Sequence, residues 1–215
     1  MRNDISLELA SRLTEQVKTA FENGSLLDAV TPVTQDLLKF WFMGPYTEER
    51  SKNFHEGQKQ SILNIIYLHE VLQVTTVEEI YRQVAPDLLA ECNLSDLAKE
   101  KYRIPKYAVK MATGTGKTWV MHALLLWQLL NARHEEQEER SGRYTQNFLI
   151  VAPGLIVYDR LKDAYCGRLK ENCTERDPFT NDLYLHKDLF IPPAYRDEVF
   201  SFIPVSYTHL RAHET

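Results

Sequence analysis

No stretch of this 215-residue chain is apolar for long enough to cross a bilayer as a helix, which takes about 20 residues. The N-terminus, Met1–Leu13, carries Asp4 and Glu8 and has no long apolar core, which excludes a secretory signal. Cysteine is scarce. Cys92, Cys166 and Cys173 fall at no metal-like spacing, and the last two lie too far apart for a tight CxxC pair. That pattern reads as reduced thiols in a cytoplasmic protein without a disulfide or zinc site. An excess of positive charge is also missing: 25 Lys and Arg face 30 Asp and Glu, a formal net charge of −5. The chain as a whole has no pull toward nucleic acid, so any DNA or RNA contact must come from a local patch. What is present suffices for a core, since 44% of the residues are hydrophobic. The length allows one domain, or one domain with an appendage.

The first third reads as helices. Over Asp4–Glu22 the apolar residues Leu9, Leu13, Val17 and Phe21 recur every fourth position, and Asn23-Gly24 supplies a stop. Thr31-Pro32 combines an N-cap hydroxyl with a first-turn proline and starts a second helix that runs to Gly44-Pro45. A third is expected from about Glu56 to Leu72, with Ile62, Ile65, Ile66 and Leu68 on its apolar side. Thr76 followed by Glu79 predicts a capping box on a short helix ending near Pro86, and Ser95 caps another brief one.

The pattern changes at Pro105. Tyr107–Met111 reads as a short strand, followed at once by a glycine-containing loop and then by Thr118–Ala132, a helix apolar nearly all round. His134–Gln146 is polar and reads as a loop; its acids Glu135, Glu136, Glu138 and Glu139 read as a solvated face. Asn147–Ala152 is expected to be a second buried strand, and Pro153-Gly154 turns it into a helix from about Leu155 to Tyr165. Asp177-Pro178 and Pro192-Pro193 mark loops. Strand, loop, helix, strand, turn and helix in succession open a parallel α/β sheet.

The chemistry concentrates in Met111–Thr118, whose Gly116-Lys117-Thr118 completes a phosphate-binding P-loop pattern. Gly114 and Gly116 permit backbone conformations closed to other residues, so that successive N–H groups, those of Thr113 and Thr115 included, can turn toward phosphate oxygens. The helix beginning near Lys117 adds its positive dipole end. Lys117 would reach the β- and γ-phosphates of ATP, and the Thr118 hydroxyl would complete a Mg²⁺ shell. Met111 stands where the general motif has glycine.

The spelling Ala112–Thr118, ATGTGKT, resembles motif I of superfamily 2 helicases, especially the helicase subunit of type III restriction enzymes and related DEAD/DEAH-like proteins. Upstream, Phe54–Ile62 (FHEGQKQSI) is similar to that group's Q-motif. The resemblance implies that a glutamine reads the adenine edge with its paired donor and acceptor. Gln58 fits this by its spacing to Ile62, with Gln60 as the alternative. Downstream, Val151–Leu155 is similar to motif Ia, which presents a helix N-terminus to a nucleic-acid phosphate. Pro153 and Gly154 are its turn here, and Arg160 and Lys162 lie on the following helix, where DNA contact and surface solubilisation are equally open. The group's usual threonine after the proline is Gly154 in this chain, so only backbone N–H binding carries over. Weaker likeness extends over Val30–Phe42 and Leu189–Arg196.

What the resemblance implies is a RecA-like P-loop sheet preceded by a helical segment, and an ATP-dependent helicase or translocase working on double-stranded DNA. A modification or specificity subunit of a restriction complex would be a partner. Several parts of such a motor are missing from the sequence. No Asp-Glu-x-His or Asp-Glu-x-Asp follows the P-loop, and Asp159 and Asp163 sit on the motif Ia helix, the wrong context for a strand-end acid. No arginine finger of a second motor domain and no nuclease signature is found. The last eleven residues, Val205–Thr215 (VSYTHLRAHET), resemble a transposase sequencing adapter translated in frame. The chain is therefore expected to be an N-terminal fragment, inactive alone: a helical segment over 1–52, a partial ATP-binding domain over 53–204, and an artefactual tail over 205–215, whose His209 and His213 have no role. A P-loop kinase and a nucleotide-gated assembly ATPase without strand movement are the competing readings.

Overall fold

The computed structural model describes residues 5–91, 106–137, 142–171, 173–206 and 211–212. The brief helix read from Ser95 lies outside the described residues, as do Cys92, Pro105, Glu138, Glu139, His209 and His213. Two compact units share the chain: Met1–Gln35 with His55–Thr115, and Asp36–Phe54 with Gly116–Thr215.

The first unit is helical. Helix α1 (Ile5–Glu22) buries Leu13 and Val17 of the expected stripe together with Ala20, while Leu9 and Phe21 are half-buried. It lies against α2 (Ser25–Ala29), α5 (Glu56–Ile66) and α6 (Val77–Val84). Gly24, at φ 84°, joins α1 to α2 in a left-handed conformation that suits glycine. The expected caps form: Thr31 Oγ1 accepts from Thr34 N–H at 3.1 Å ahead of α3 (Pro32–Phe42). Thr76 Oγ1 accepts from Glu79 N–H at 3.2 Å, and the Glu79 carboxylate returns to Thr76 N–H at 3.1 Å. The backbone N–H groups of Thr75 and Thr76, both donating to its carboxylate, hold the Glu79 carboxyl below its ordinary pKa. Helix α5 continues as one π-helical turn, Tyr67–Val71, that carries the buried Glu70. Its two oxygens accept from Thr31 N–H at 2.8 Å and Thr34 Oγ1–H at 2.5 Å, so a carboxylate satisfies the start of α3. After α7 (Pro86–Leu89), Tyr81, Ala85 and Leu88 close a small core with Ile5 and Leu9.

The second unit holds the remainder of α3, the short α4 (Tyr46–Glu49) and α8 (Lys117–Gln137). Strand β1 (Val151–Ala152) leads to α9 (Leu155–Cys166), and β2 (Arg168–Leu169) pairs antiparallel with β3 (Arg176–Asp177). The short helices α10 (Asp182–Leu185) and α11 (Lys187–Phe190) precede α12 (Arg196–Ser206). An aromatic cluster organises this unit. The Trp41 indole N–H donates to the Phe190 carbonyl at 2.8 Å, and Phe54 meets both rings edge-on. Trp119 of α8 meets Phe190 at 5.9 Å.

Three expectations are corrected here. Tyr107–Met111 forms no strand; the segment from Lys106 is irregular up to the loop. The strand expected over Asn147–Ala152 is reduced to Val151–Ala152, which pairs in parallel with β4 (Arg211–Ala212) of the tail through Val151↔Arg211 and Ala152↔Ala212. A ladder needs a second chain segment, and among the described residues neither segment has a longer one. The loop read over His134–Gln146 starts late, because α8 continues through Gln137. Glutamate and glutamine are good helix formers, and Arg133 anchors this end to Glu198 at 2.6 Å.

The β2–β3 hairpin supplies one prediction. Gly167, at φ 85°, precedes β2, and a Cβ there would run into the Asp177 carbonyl. Gly167→Ala should therefore cost at least about 1–3 kcal/mol and free the Arg176–Asp163 ion pair, now at 2.6 Å. Thermal unfolding of the variant checks this, and an unchanged midpoint would contradict the close approach.

Candidate nucleotide site

The Met111–Thr118 loop is shaped by two glycines. Gly114 has φ 81° and Gly116 has φ 72°, both in the left-handed region that favours glycine. A Cβ at Gly114 would meet nothing within 4 Å, so the requirement for glycine there is conformational. Between them Thr115 turns its hydroxyl back to the Ala112 carbonyl at 2.7 Å, and its N–H reaches the same oxygen at 3.5 Å. Helix α8 begins at Lys117, and Trp119 N–H donates to Gly116 O at 2.9 Å. Thr113, Gly114 and Lys117 are exposed, while Thr115, Gly116 and Thr118 are half-buried. Thr113–Thr115 belong to the first unit and Gly116–Thr118 to the second. In the second unit the N-terminus of α8, the Lys117 ammonium and the Thr118 hydroxyl make a donor set that fits a phosphate. Among the described residues no group of three or more His, Cys, Asp and Glu could hold a metal ion by itself.

Helix α5 of the first unit opens on His55, which the sequence reading passed over. The His55 imidazole Nδ1 accepts from Gln58 N–H at 3.3 Å, and Gln58 Oε1 accepts from His55 N–H at 3.0 Å. This is a capping box with histidine in place of Ser or Thr. It leaves Gln58 only 2% exposed and commits its carbonyl oxygen. Gln60, the alternative, spends its amide on Asn64 Oδ1 at 2.8 Å and the Thr14 carbonyl at 3.4 Å, both in the helical packing. From the far side of its ring, His55 Nε2 lies 2.8 Å from the Thr115 carbonyl, which brings the Q-like segment to the glycine loop.

In the second unit α8 is held one turn past the loop by another histidine that sequence alone did not mark. His122 is buried, stacked on Tyr165 with ring centroids 4.1 Å apart and planes 6° from parallel. Its Nδ1 lies 2.7 Å from the Thr118 carbonyl and its Nε2 3.3 Å from the Ala164 carbonyl. Burial pushes its pKa down and favours the neutral ring. A polar residue in an apolar run was the one available signal. Its partner on α9 lies 42 positions away and could not be read.

Pro153-Gly154 turns the chain from β1 into α9, as expected. Ala152 is buried, Pro153 exposed, and Gly154 precedes α9 in an extended conformation at φ 177°, which any residue adopts. No side chain caps α9, and the Gly154 carbonyl accepts from Tyr158 N–H at 2.9 Å. Arg160 is exposed on this helix, while Lys162 lies over the Tyr158 ring at 4.8 Å. Asp163 is paired with Arg176.

The family of type III restriction enzyme res subunits matches residues 51–188. The match spans the capping box, the glycine loop, α8 and α9, well over half of the chain. The chain belongs to this family, and thereby to the ATP-dependent helicases in the broad sense. No curated protein and no solved structure matches it. Among the described residues no helix is long and apolar enough to cross a membrane.

Proposed function

We propose that this chain supplies the ATP-binding part of a DNA helicase or translocase, the helicase subunit of a type III restriction system. One observation carries the reading: in a member of the res family, two left-handed glycines open directly onto Lys117 and Thr118 at the start of a 21-residue helix. In this reading the N–H groups of Thr113–Gly116 cradle the β-phosphate, and Lys117 holds the β- and γ-oxygens. Thr118 gives its hydroxyl to Mg²⁺. When bound, the metal neutralises charge on the phosphates. The protein's part is to place donors and hold the loop closed through Thr115 and Ala112. The α9 N-terminus after Pro153-Gly154, with Arg160, faces a phosphate of duplex DNA, and the modification subunit of the restriction complex supplies sequence choice. The test is titration of the chain with a fluorescent ATP analogue and Mg²⁺, then with duplex DNA added. Saturable binding that EDTA weakens supports the reading, and its absence ends it. Binding indifferent to DNA would favour an assembly ATPase.

Base choice gives a sharper prediction. In this reading Gln58, the glutamine of the Q-motif-like segment, reads adenine; it is buried at the start of α5, with its oxygen on His55 N–H. Gln58→Ala should narrow the preference for ATP over GTP by about 0.5–1.5 kcal/mol, the worth of one hydrogen bond. Competition binding with both nucleotides measures it, and an unchanged preference would remove Gln58 from base readout.

A further inference from the structure

We infer that His55 is a positioning residue for the nucleotide, tying the N-terminus of α5, and with it Gln58, to the phosphate loop through the Thr115 carbonyl. The inference rests on the ATP-binding reading above. Its geometry fixes the tautomer. Gln58 N–H points at Nδ1 from 3.3 Å, so Nδ1 is an acceptor and carries no proton. The proton is then on Nε2, which donates to Thr115 O at 2.8 Å. One neutral imidazole serves both bonds at once, which neither Asn nor Ser, the common capping residues, is long enough to do. His55 is exposed, so core packing does not account for it.

The consequence follows from the planar trans peptide. The Thr115 carbonyl and the Gly116 N–H belong to one peptide plane and point in opposite directions. A donor that holds the carbonyl on one side aims that N–H to the other, at the phosphates in the reading above. The Thr115 hydroxyl, bonded to Ala112 O at 2.7 Å, fixes the same residue from its side chain. The Gln58 oxygen meanwhile rests on the backbone N–H of His55 itself, at 3.0 Å. The Gln58 side chain and the phosphate loop are thereby held by one residue.

Two substitutions divide the two bonds. His55→Asn keeps an acceptor in the place of Nδ1 but cannot reach Thr115. His55→Gln places an amide N–H near the position of Nε2 but caps poorly. In the full chain, His55→Asn should unfold at the wild-type temperature yet bind a fluorescent ATP analogue about fivefold to tenfold more weakly, the loss of one hydrogen bond. His55→Gln should unfold several degrees lower and keep most of the affinity. Without nucleotide, amide hydrogen exchange over 112–116 should quicken in the Asn variant and not in the Gln variant. An Asn variant with wild-type affinity and exchange would overturn the inference alone. So would equal loss of affinity in both variants in step with stability, which marks a purely structural role. A wild-type chain that binds no ATP analogue would bring down the ATP-binding reading and this inference together.

Discussion

Alanine at position 117 is expected to weaken binding of an ATP analogue to this chain about 10- to 100-fold. A hydrogen bond to a charged group is worth about 1.5–3 kcal/mol, and each 1.4 kcal/mol is roughly a factor of ten. Lys117 is the ammonium that the glycine loop delivers at the first position of α8. The substitution should leave the fold alone. Lys117 is exposed, and alanine is a strong helix former. Matched circular dichroism and melting curves, set beside analogue titrations, separate the two effects. Wild-type affinity in Lys117→Ala would show that the loop does not hold phosphate.

The parts of this fold that could be read from sequence are those specified within one or two turns. The Thr76–Glu79 box, the Thr31-Pro32 start of α3 and the stripe of α1 are local arrangements and formed as expected. The parts that escaped depend on segments far apart. Tyr107–Met111 has the composition of a strand, but a strand is completed by its neighbour, and no β-ladder among the described residues includes it. The β2–β3 hairpin went unforeseen because Arg168–Leu169 and Arg176–Asp177 carry no apolar alternation. Nothing in the sequence marks Glu70 as buried; its burial follows from Thr31 and Thr34, whose donors lie 39 and 36 positions away. At the candidate site the same division holds. Gly114, Gly116, Lys117 and Thr118 announce themselves in eight consecutive residues. The reach of His55 to Thr115 spans 60 positions and is set by how the chain folds back.

The aromatic cluster of the second unit shows how much of the site's support lies outside the motif, and Trp41→Ala is its test. Trp41 is 1% exposed. Its ring meets Phe42 at 6.0 Å and Phe54 at 6.1 Å, and its N–H is the donor to the Phe190 carbonyl. Phe190 in turn lies edge-on to Trp119, two residues past Lys117. The Trp41 carbonyl accepts from the Arg50 guanidinium, whose plane lies over Phe40 at 5.3 Å. Truncation should cost about 3–5 kcal/mol for the cavity, and the orphaned carbonyl adds about 1–3 kcal/mol. Against a domain stability of about 5–15 kcal/mol, that is enough to leave this unit partly unfolded at ambient temperature. The melting midpoint should fall by roughly 15 °C or more, given about 4–8 °C per kcal/mol for a unit of this size. Trp41→Phe keeps most of the ring and loses only the donor, so its loss should be limited to the smaller figure. Nucleotide affinity should fall in Trp41→Ala because the start of α8 loses its backing. In Trp41→Phe it should stay close to wild type. A Trp41→Ala protein that melts with the wild type would mean that the cluster does not hold the unit together. A Phe variant as unstable as the Ala variant would move the weight from packing to the single bond on Phe190.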